Sequence, residues 1–191
     1  MSPRNNLNLN TILEVAAEIA DKEGIEALTM AVLAKRLAVR TPSLYNHIDG
    51  LNDLRKELAI YGIESLYEHL MHAAVGRAGD EAVAAIAKAY VEFARSHPGL
   101  YEATIFIPDP SDVDFQKAGE KVVELCVRVL RAYDLKDEEA LHATRGLRSI
   151  LHGFASLEQK GGFGMPLDHD KSLELMINAY ISGVHTLKNE K

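Results

Sequence analysis

The chain has 191 residues and a net charge of −7, with 28 acidic against 21 basic side chains. It contains no apolar run of about 18 residues and no signal-peptide pattern, so we expect a cytoplasmic protein without membrane contact. One cysteine, Cys126, excludes an internal disulfide and a zinc site built on cysteine pairs. Helix-forming residues dominate, and glycine and proline occur where helices would end or turn, which predicts an all-α fold.

The negative charge is unevenly distributed along the chain. Residues 1–55 hold six Lys/Arg against seven Asp/Glu, whereas residues 56–191 hold fifteen against twenty-one. No acidic residue lies between Glu26 and Asp49. The basic residues of that window are Lys35, Arg36 and Arg40. This local positive patch predicts DNA binding that is salt-sensitive and uses few phosphate contacts per subunit.

The N-terminal part of the chain predicts two short helices. An apolar stripe at helical spacing predicts the first over residues 10–22, and Gly24 ends it in a left-handed conformation. Thr29 can cap the second helix. Leu28 and Leu33 are spaced as a hydrophobic staple across that cap.

A third helix is predicted after the turn at residues 38–40. Thr41 is its expected N-cap, and Pro42 its first residue, where a missing N–H costs nothing. Leu44 and Ile48 are expected to anchor it inward. Its outer face then carries Arg40, Thr41, Pro42, Ser43, Tyr45, Asn46 and His47. Two helices joined by so short a turn form a helix-turn-helix, and these polar groups suit phosphates and base edges. An ordinary helical hairpin with a solvated polar face is the alternative.

Residues 10–55 resemble the DNA-binding domain of the TetR-like (tetracycline-repressor-like) transcriptional regulators. The matching residues are Ala16-Ala17, Gly24, Ala27-Leu28-Thr29, Leu33-Ala34, Leu37 and the block from Arg40 to His47. The resemblance implies that Tyr45 and His47 contact DNA phosphates. It also implies that residues 40–43 and Asn46 meet bases or the adjacent backbone.

Two further positions bear on DNA binding. Lys35 completes the predicted set of DNA-contacting residues because it lies in the positive patch. Many members of the family place a lysine four residues after the histidine to hold a phosphate. Here that position is Leu51, so the sequence departs from the family pattern at this phosphate contact.

The rest of the chain predicts further helices. Asp49-Gly50 ends the motif, and a long connector helix is expected over about residues 52–74. Beyond a break between Gly76 and Gly79, helices are predicted near residues 80–96, 99–106, 111–133, 137–159 and 169–188. This pattern divides the chain into a DNA-binding domain over residues 1–50 and a helical effector-binding and dimerisation domain over residues 51–191.

The second domain resembles a subgroup of the family whose C-terminal domain carries a Trp-His-Gly signature, with Leu151 in place of the tryptophan. Small residues also recur here on one helix face, at spacings of three and four, and such a stripe lets another helix come close. The predicted homodimer face consists of His142, Gly146, Ser149, Gly153, Ser156, Tyr180 and Gly183. Packing of the last two helices on each other within a monomer is the alternative.

Aromatic and apolar residues suggest a pocket for an unknown small-molecule effector. The candidate lining residues are Tyr61, Tyr90, Phe93, Tyr101, Phe106, Leu147 and Leu151. Each of these residues could equally pack in the hydrophobic core without contacting a ligand. No charged residue is clearly buried, which favours a neutral or apolar effector.

Catalytic and metal-binding patterns are weak. Glu139-x-x-His142 has the spacing of a di-metal ligand pair, but one such pair does not make the site, so we predict no metal and no cofactor. No nucleophile motif or phosphate loop occurs. The prediction is a ligand-responsive DNA-binding regulator and not an enzyme, most simply a repressor released from a palindromic operator. A helical scaffold protein without DNA affinity is the alternative, suggested by the acidic balance and by Leu51; a di-metal enzyme ranks third.

Overall fold

The computed structural model describes residues 7–105 and 111–189. Within them the chain forms nine α-helices, two short 3-10 helices and no strand, as the composition predicts. The helices are α1 (Leu9–Glu23), α2 (Met30–Arg36), α3 (Thr41–Leu44), α4 (Leu51–Ala74), α5 (Gly79–Ser96), α6 (Pro98–Ile105), α7 (Val113–Leu130), α8 (Asp137–Gln159) and α9 (His169–Asn189). The 3-10 helices span Ile25–Ala27 and Arg131–Tyr133. No described helix is long and apolar enough to cross a membrane.

The described residues divide into two compact units. The first unit comprises the chain up to Glu64 together with His97–Gln116, and the second comprises Ser65–Ser96 together with the chain from Lys117 onward. The division falls inside α4, which therefore contributes residues to both units. The boundary expected after residue 50 follows the helix-turn-helix motif, whereas the compact unit around that motif also takes in α6.

Helix α1 supplies much of the core of the first unit. The Asn8 side chain accepts a hydrogen bond from the Thr11 N–H at 2.9 Å and so caps the start of the helix. The helix ends at Gly24, whose φ of +86° favours glycine and whose N–H donates to the Ala20 carbonyl. Its buried residues are Ile12, Leu13, Ala16, Ala17, Ile19 and Ala20. The predicted apolar stripe is therefore the face that packs inward.

Helix α6 packs tightly on α1. A Cβ atom at Gly99 would lie 2.1 Å from the carbonyl carbon and oxygen of Ala20, so only glycine allows this approach. The Asp21 carboxylate accepts a hydrogen bond from the Leu100 N–H at 2.8 Å and lies 3.1 Å from Nδ1 of His97. These contacts explain why a segment distant in sequence belongs to the first unit.

The second unit packs α5 against α8 and α9 and contains a cluster of charged side chains. The Arg95 guanidinium donates two hydrogen bonds to the Glu158 carboxylate, at 2.7 and 2.8 Å, and one to Asp170 at 2.7 Å. Nδ1 of His169 lies 3.0 Å from Oε1 of Glu158. The hydrogen bonds from Arg95 hold the pKa of the Glu158 carboxyl below its usual range. The cluster thereby joins three helices of the unit.

Candidate DNA-binding site

The segment between α2 and α3 is a tight turn. The Thr29 hydroxyl caps α2 by accepting a hydrogen bond from the Val32 N–H at 3.2 Å, as predicted. After α2 the chain reverses at Ala38, whose φ of +55° is in the left-handed region. The Val39 N–H then donates to the Ala34 carbonyl at 3.0 Å, which holds the turn against α2. The result is the geometry of a helix-turn-helix.

The expected start of the third helix was wrong by one residue. The N-cap is Arg40, which has extended φ and ψ angles of −82° and 142°, while Thr41 is already helical. The Arg40 carbonyl accepts a hydrogen bond from the Ser43 N–H at 2.8 Å, so the first turn begins before the threonine. Pro42 then occupies the second helical position, where its missing N–H has no helical partner in any case.

The helical part of this segment is also shorter than predicted. Helix α3 ends at Leu44, and residues 45–47 form a turn. Both the His47 N–H and the Ile48 N–H donate to the Leu44 carbonyl, at 2.9 and 3.0 Å. Because these bonds continue the winding of the chain, residues 45–47 present their side chains beside those of α3.

Two buried residues orient the whole segment. Leu44 and Ile48 are 0 % and 1 % exposed, which confirms the predicted anchors. Between them, Tyr45 is 55 % exposed, and Asn46 and His47 are also exposed. The outer side chains of the α3 face, as we call it here, are Arg40, Thr41, Pro42, Ser43, Tyr45, Asn46 and His47, of which Thr41 and Ser43 are half-buried. Burial of the anchors thus turns the polar groups toward solvent.

The basic side chains near the α3 face differ in their partners. Arg36 forms an ion pair with Glu23, so its charge is already compensated. Lys35 and Arg40 are exposed, and neither forms an ion pair within residues 7–105 and 111–189. Lys35 and Arg40 are therefore the cations available to a phosphate.

The start of α4 follows this face in the chain. The Asp53 carboxylate accepts a hydrogen bond from the Asp49 N–H at 2.9 Å. Lys56 lies within 3.3 Å of Asp53 and 3.2 Å of Glu57, and its hydrogen bond with Glu57 raises the pKa of the ammonium group. Leu51 is half-buried as the first residue of the helix. Lys56 is therefore engaged by carboxylates.

The residues predicted to line an effector pocket are distributed over both units. Tyr61 and Tyr101 belong to the first unit, and Phe106 lies outside the described residues. The remaining candidates belong to the second unit and are buried: Tyr90, Phe93, Leu147 and Leu151. A pocket that they share therefore stays a prediction.

One polar group on the buried face of α8 was not predicted as a site residue from the sequence. Thr144 is 8 % exposed, and its hydroxyl oxygen has no hydrogen-bond partner in the described structure. It lies one turn before Leu147 on the same buried face. A buried hydroxyl without a partner loses its hydration uncompensated, so it is a place where a polar atom of a bound molecule would be stabilised.

The residues of the predicted dimer face lie on the outside of α8 and α9. His142, Ser149 and Gly183 are exposed. Gly146, Gly153, Ser156 and Tyr180 are half-buried. A Cβ atom at Gly153 or Gly183 would meet no described atom within 4 Å. The Tyr180 hydroxyl donates to the Ala143 carbonyl at 2.9 Å, so this side chain already packs on α8 within the chain. Among the described residues, Gly153 and Gly183 therefore mark the part of the face that leaves room for another helix.

The Glu139-x-x-His142 pair has a structural explanation. The Glu139 carboxylate accepts a hydrogen bond from the Lys136 N–H at 2.8 Å and so caps the start of α8. His142 is exposed and lies 3.9 Å from Glu138. The spacing thus arises at a helix start rich in carboxylates.

Comparisons with known proteins agree with this geometry. A family model described as "Bacterial regulatory proteins, tetR family" matches residues 12–58, and one described as "Tetracyclin repressor-like, C-terminal domain" matches residues 83–180. An uncharacterised HTH-type transcriptional regulator of Bacillus subtilis is 41% identical over 185 residues, which cover 96% of each chain. One of Mycobacterium tuberculosis is 38% identical over 156 residues, covering 81% of this chain and 72% of the other.

Solved structures show the same fold. A TetR transcriptional regulator of Streptomyces coelicolor superposes with a TM-score of 0.77 at 17% identity, covering 95% of this chain and 99% of the other. A TetR variant of Acinetobacter baumannii in complex with minocycline has a TM-score of 0.72 at 21% identity, covering 95% and 98%. The matched families and relatives are regulators and not enzymes. The chain therefore belongs to the TetR family and is a DNA-binding transcriptional regulator.

Proposed function

We propose that this regulator is a homodimeric repressor that binds a palindromic operator in the cytoplasm and leaves it when a small molecule binds. The observation that carries the proposal is the α3 face, whose polar side chains point outward because Leu44 and Ile48 are buried beneath them. An outward polar face next to uncompensated cations is what a DNA groove requires.

Each side chain of the face has a distinct role in this proposal. The phenol of Tyr45 and the imidazole of His47 donate hydrogen bonds to phosphates. Arg40, with Thr41, Pro42 and Ser43, meets base edges or the adjacent backbone, and Asn46 offers an amide that can pair with adenine. Lys35 supplies a further phosphate contact from α2. The domains of the proposal are residues 1–50 for DNA and 51–191 for the effector and the partner.

Two copies of the chain are needed to read a palindrome. We place the two-fold contact on the small-residue face of α8 together with α9, because the glycines there leave room for a second helix. The pair would then present two α3 faces roughly 34 Å apart, one turn of DNA. The contacting residues are His142, Gly146, Ser149, Gly153, Ser156, Tyr180 and Gly183.

Effector binding is proposed for the helical second domain. The candidate residues of the second unit are Tyr90, Phe93, Leu147 and Leu151, to which we add the unpartnered hydroxyl of Thr144. Tyr61 and Tyr101, which belong to the first unit, and Phe106 stay predictions from the sequence. Helix α4 contributes residues to both compact units, so a shift of this helix on ligand binding would change the spacing of the two α3 faces. Release of the operator follows from that change.

The test begins by selecting bound sequences from a random duplex pool. With the operator in hand, we expect Tyr45→Ala and His47→Ala each to weaken binding about tenfold or more, since each removes a charge-assisted hydrogen bond to phosphate. A gel-shift titration measures the loss, and circular dichroism checks the fold. His72→Ala, an exposed histidine on α4, is the matched control and should bind like the native chain.

Two results would contradict the proposal. Unchanged operator affinity in both variants would reject the roles assigned to Tyr45 and His47. A complete absence of binding to random duplex at low salt would favour the alternative of a helical scaffold, because a regulator with exposed cations binds nonspecific DNA weakly.

A further inference from the structure

A second feature of the helical unit lies where α8 is joined to α9. The connection forms a cleft of 340 Å³ within the second unit. Its lining residues are Phe154, Gly162, Phe163, Gly164, Met165, Leu167, His169 and Ser172. None of them belongs to the aromatic set proposed above for the effector. The cleft is therefore a site separate from the proposed effector pocket.

Three aromatic rings, each in contact with the next, form the wall of the cleft. The centroids of Phe154 and Phe163 are 5.1 Å apart, and those of Phe163 and His169 are also 5.1 Å apart. Phe154 is buried, so the wall is anchored in the core of the unit. Edge-to-face and tilted contacts at this distance are favourable, and an added ring can extend the series.

Apolar side chains beside this wall remain in solvent. Met165 is 71% exposed and Leu167 is 65% exposed, although both line the cleft. The Gly162 N–H donates to the Leu157 carbonyl at 2.7 Å, which turns the chain back at the end of α8. Burial of Met165 and Leu167 would stabilise the protein, so an apolar molecule gains free energy by covering them.

Two polar side chains line the cleft, His169 and Ser172. The Ser172 hydroxyl donates to the Asp168 carbonyl at 3.1 Å, whereas His169 presents a ring nitrogen. Nδ1 of His169 faces Oε1 of Glu158 at 3.0 Å, and Glu158 is itself held by two hydrogen bonds from Arg95. A carboxylate only accepts, so Nδ1 carries the proton, and in the neutral ring Nε2 is an acceptor. Nε2 has no hydrogen-bond partner in the described structure. A bound molecule can therefore donate to this nitrogen.

The charges around the cleft select against anions. No lysine or arginine lines it, and Arg95 is already occupied by Glu158 and Asp170. The Asp168 carboxylate accepts hydrogen bonds from the Asp170 and Lys171 N–H groups at the start of α9. A neutral ligand has no charge to desolvate on binding here, whereas an anion would be desolvated without a cation to pair with.

We infer that this cleft is a binding site for a neutral aromatic molecule that carries a hydroxyl or N–H donor directed at Nε2 of His169. An apolar cavity of about 150 Å³ holds benzene, and 340 Å³ is roughly twice that volume, so a compound of about two rings fits. A protein partner would need about 20 to 30 residues a side, far more than the lining of this cleft.

The experiment uses 2-naphthol, a two-ring aromatic compound with one hydroxyl donor, and the full-length protein. The chain has no tryptophan, so naphthyl fluorescence can be followed without that background. We expect a saturable change in anisotropy. Because Met165 is exposed, Met165→Glu should fold like the native chain, and the charge that it places in the cleft should weaken binding at least tenfold. His72→Phe, on α4, is the matched surface control and should bind normally.

A second probe tests the polar contact. In 2-methoxynaphthalene the hydroxyl donor is replaced by an ether, so it should bind roughly threefold to tenfold more weakly than 2-naphthol. In His169→Phe the two probes should bind equally, because the acceptor is gone. These measurements involve no DNA, so their outcome is separate from that of the operator experiments.

Several outcomes would overturn the inference. These are the absence of saturable 2-naphthol binding, equal binding by the native chain and Met165→Glu, and a preference for 2-naphthol that persists in His169→Phe. If Met165→Glu instead changes the oligomeric state by light scattering and leaves naphthol binding unaltered, the cleft is a contact between two copies of the chain, and the small-molecule site is rejected.

Discussion

The two compact units differ in what they cover and what they leave exposed. In the first unit Gly99 is pressed against the backbone of α1, while the polar α3 face remains in solvent. In the second unit a Cβ atom at Gly153 would meet no described atom within 4 Å, while the side chain of Glu158 is held among three helices and is only 15% exposed. The first unit already contains a close helix contact at its glycine, whereas the glycine of the second unit leaves room for such a contact with another helix.

This difference indicates what each unit still has to bind. A polar, partly cationic face is stable in water and gains most from a phosphate backbone. A face of small residues gains little from water and most from the close approach of another helix. The comparison therefore predicts that binding through the first unit weakens with salt, and that association through the second unit depends on side-chain size.

The largest effect is expected on the homodimer, from a substitution at Gly153. Gly153→Leu should disrupt the homodimer, because a bulky side chain prevents close approach and a two-fold interface meets it twice. Overpacking costs about 1–3 kcal/mol at each site, so dissociation should increase roughly thirtyfold or more. Analytical ultracentrifugation measures it. A dimer of native affinity in this variant would show that α8 does not form the contact.

The glycine of the first unit provides the contrast to this variant. Gly99→Ala should destabilise the fold of the single chain by about 3 kcal/mol, because its Cβ would overlap the Ala20 backbone, which cannot move aside as a side chain does. Urea unfolding measures the change. Gly153→Leu should instead raise the free energy of unfolding of the isolated chain by up to about 1 kcal/mol, since leucine has the higher helix propensity and a Cβ at Gly153 meets no described atom within 4 Å.

The charged cluster of the second unit should have the next largest effect. Arg95→Met removes three hydrogen bonds to carboxylates and should lower the free energy of unfolding by about 2 kcal/mol. This is less than three separate charged hydrogen bonds would contribute, because solvent screens the partly exposed guanidinium. The comparison is Lys171→Ala, which breaks the exposed pair with Glu174 and should cause no measurable change.

The same cluster predicts a pH dependence. Arg95 lowers the pKa of Glu158 in the folded chain. The resulting stabilisation is complete above the pKa of an unfolded glutamate, about 4.3, and is lost as the pH falls through the lower folded value. Arg95→Met should therefore show a smaller loss of stability than the native chain between neutral pH and pH values below about 4. An identical pH profile in both would contradict this assignment.

The exposed cations of the first unit should affect DNA binding more modestly. Each dimer presents two copies of Lys35, so Lys35→Ala should lower the slope of log affinity against log salt by about 1.8 and reduce affinity several-fold at low salt. Arg36→Ala is the matched control, because Glu23 already compensates that charge. Equal slopes for Lys35→Ala and the native chain would exclude Lys35 from the phosphate contacts.

The smallest effect concerns the turn of the helix-turn-helix. Ala38 has a φ of +55°, a conformation that costs an L residue about 1–2 kcal/mol and glycine little. Ala38→Gly should therefore raise the free energy of unfolding by about 0.5–1 kcal/mol after the larger entropy loss of glycine is included. Ala31→Gly, at an exposed position in α2, should have the opposite sign. Destabilisation by both would contradict the strain argument.

Most helix positions were predictable because helix formation depends on neighbours a few residues apart. The Thr29 cap, the end of α1 at Gly24 and the burial of Leu44 and Ile48 all follow from local spacing. The start of α3 was less predictable. Threonine before proline favours a cap, yet the bond from Ser43 to the Arg40 carbonyl moves that start one residue earlier.

The amino-acid sequence alone therefore determined the helical class, the helix-turn-helix and the outward direction of its polar side chains, since these depend on periodicity, caps and turns. Only the tertiary structure decided that α6 joins the first unit, through Asp21 and Leu100, which are 79 residues apart. It likewise brought Arg95 to Glu158 across 63 residues and opened the cleft beside His169. Such contacts depend on how distant helices pack, and no local pattern encodes that arrangement.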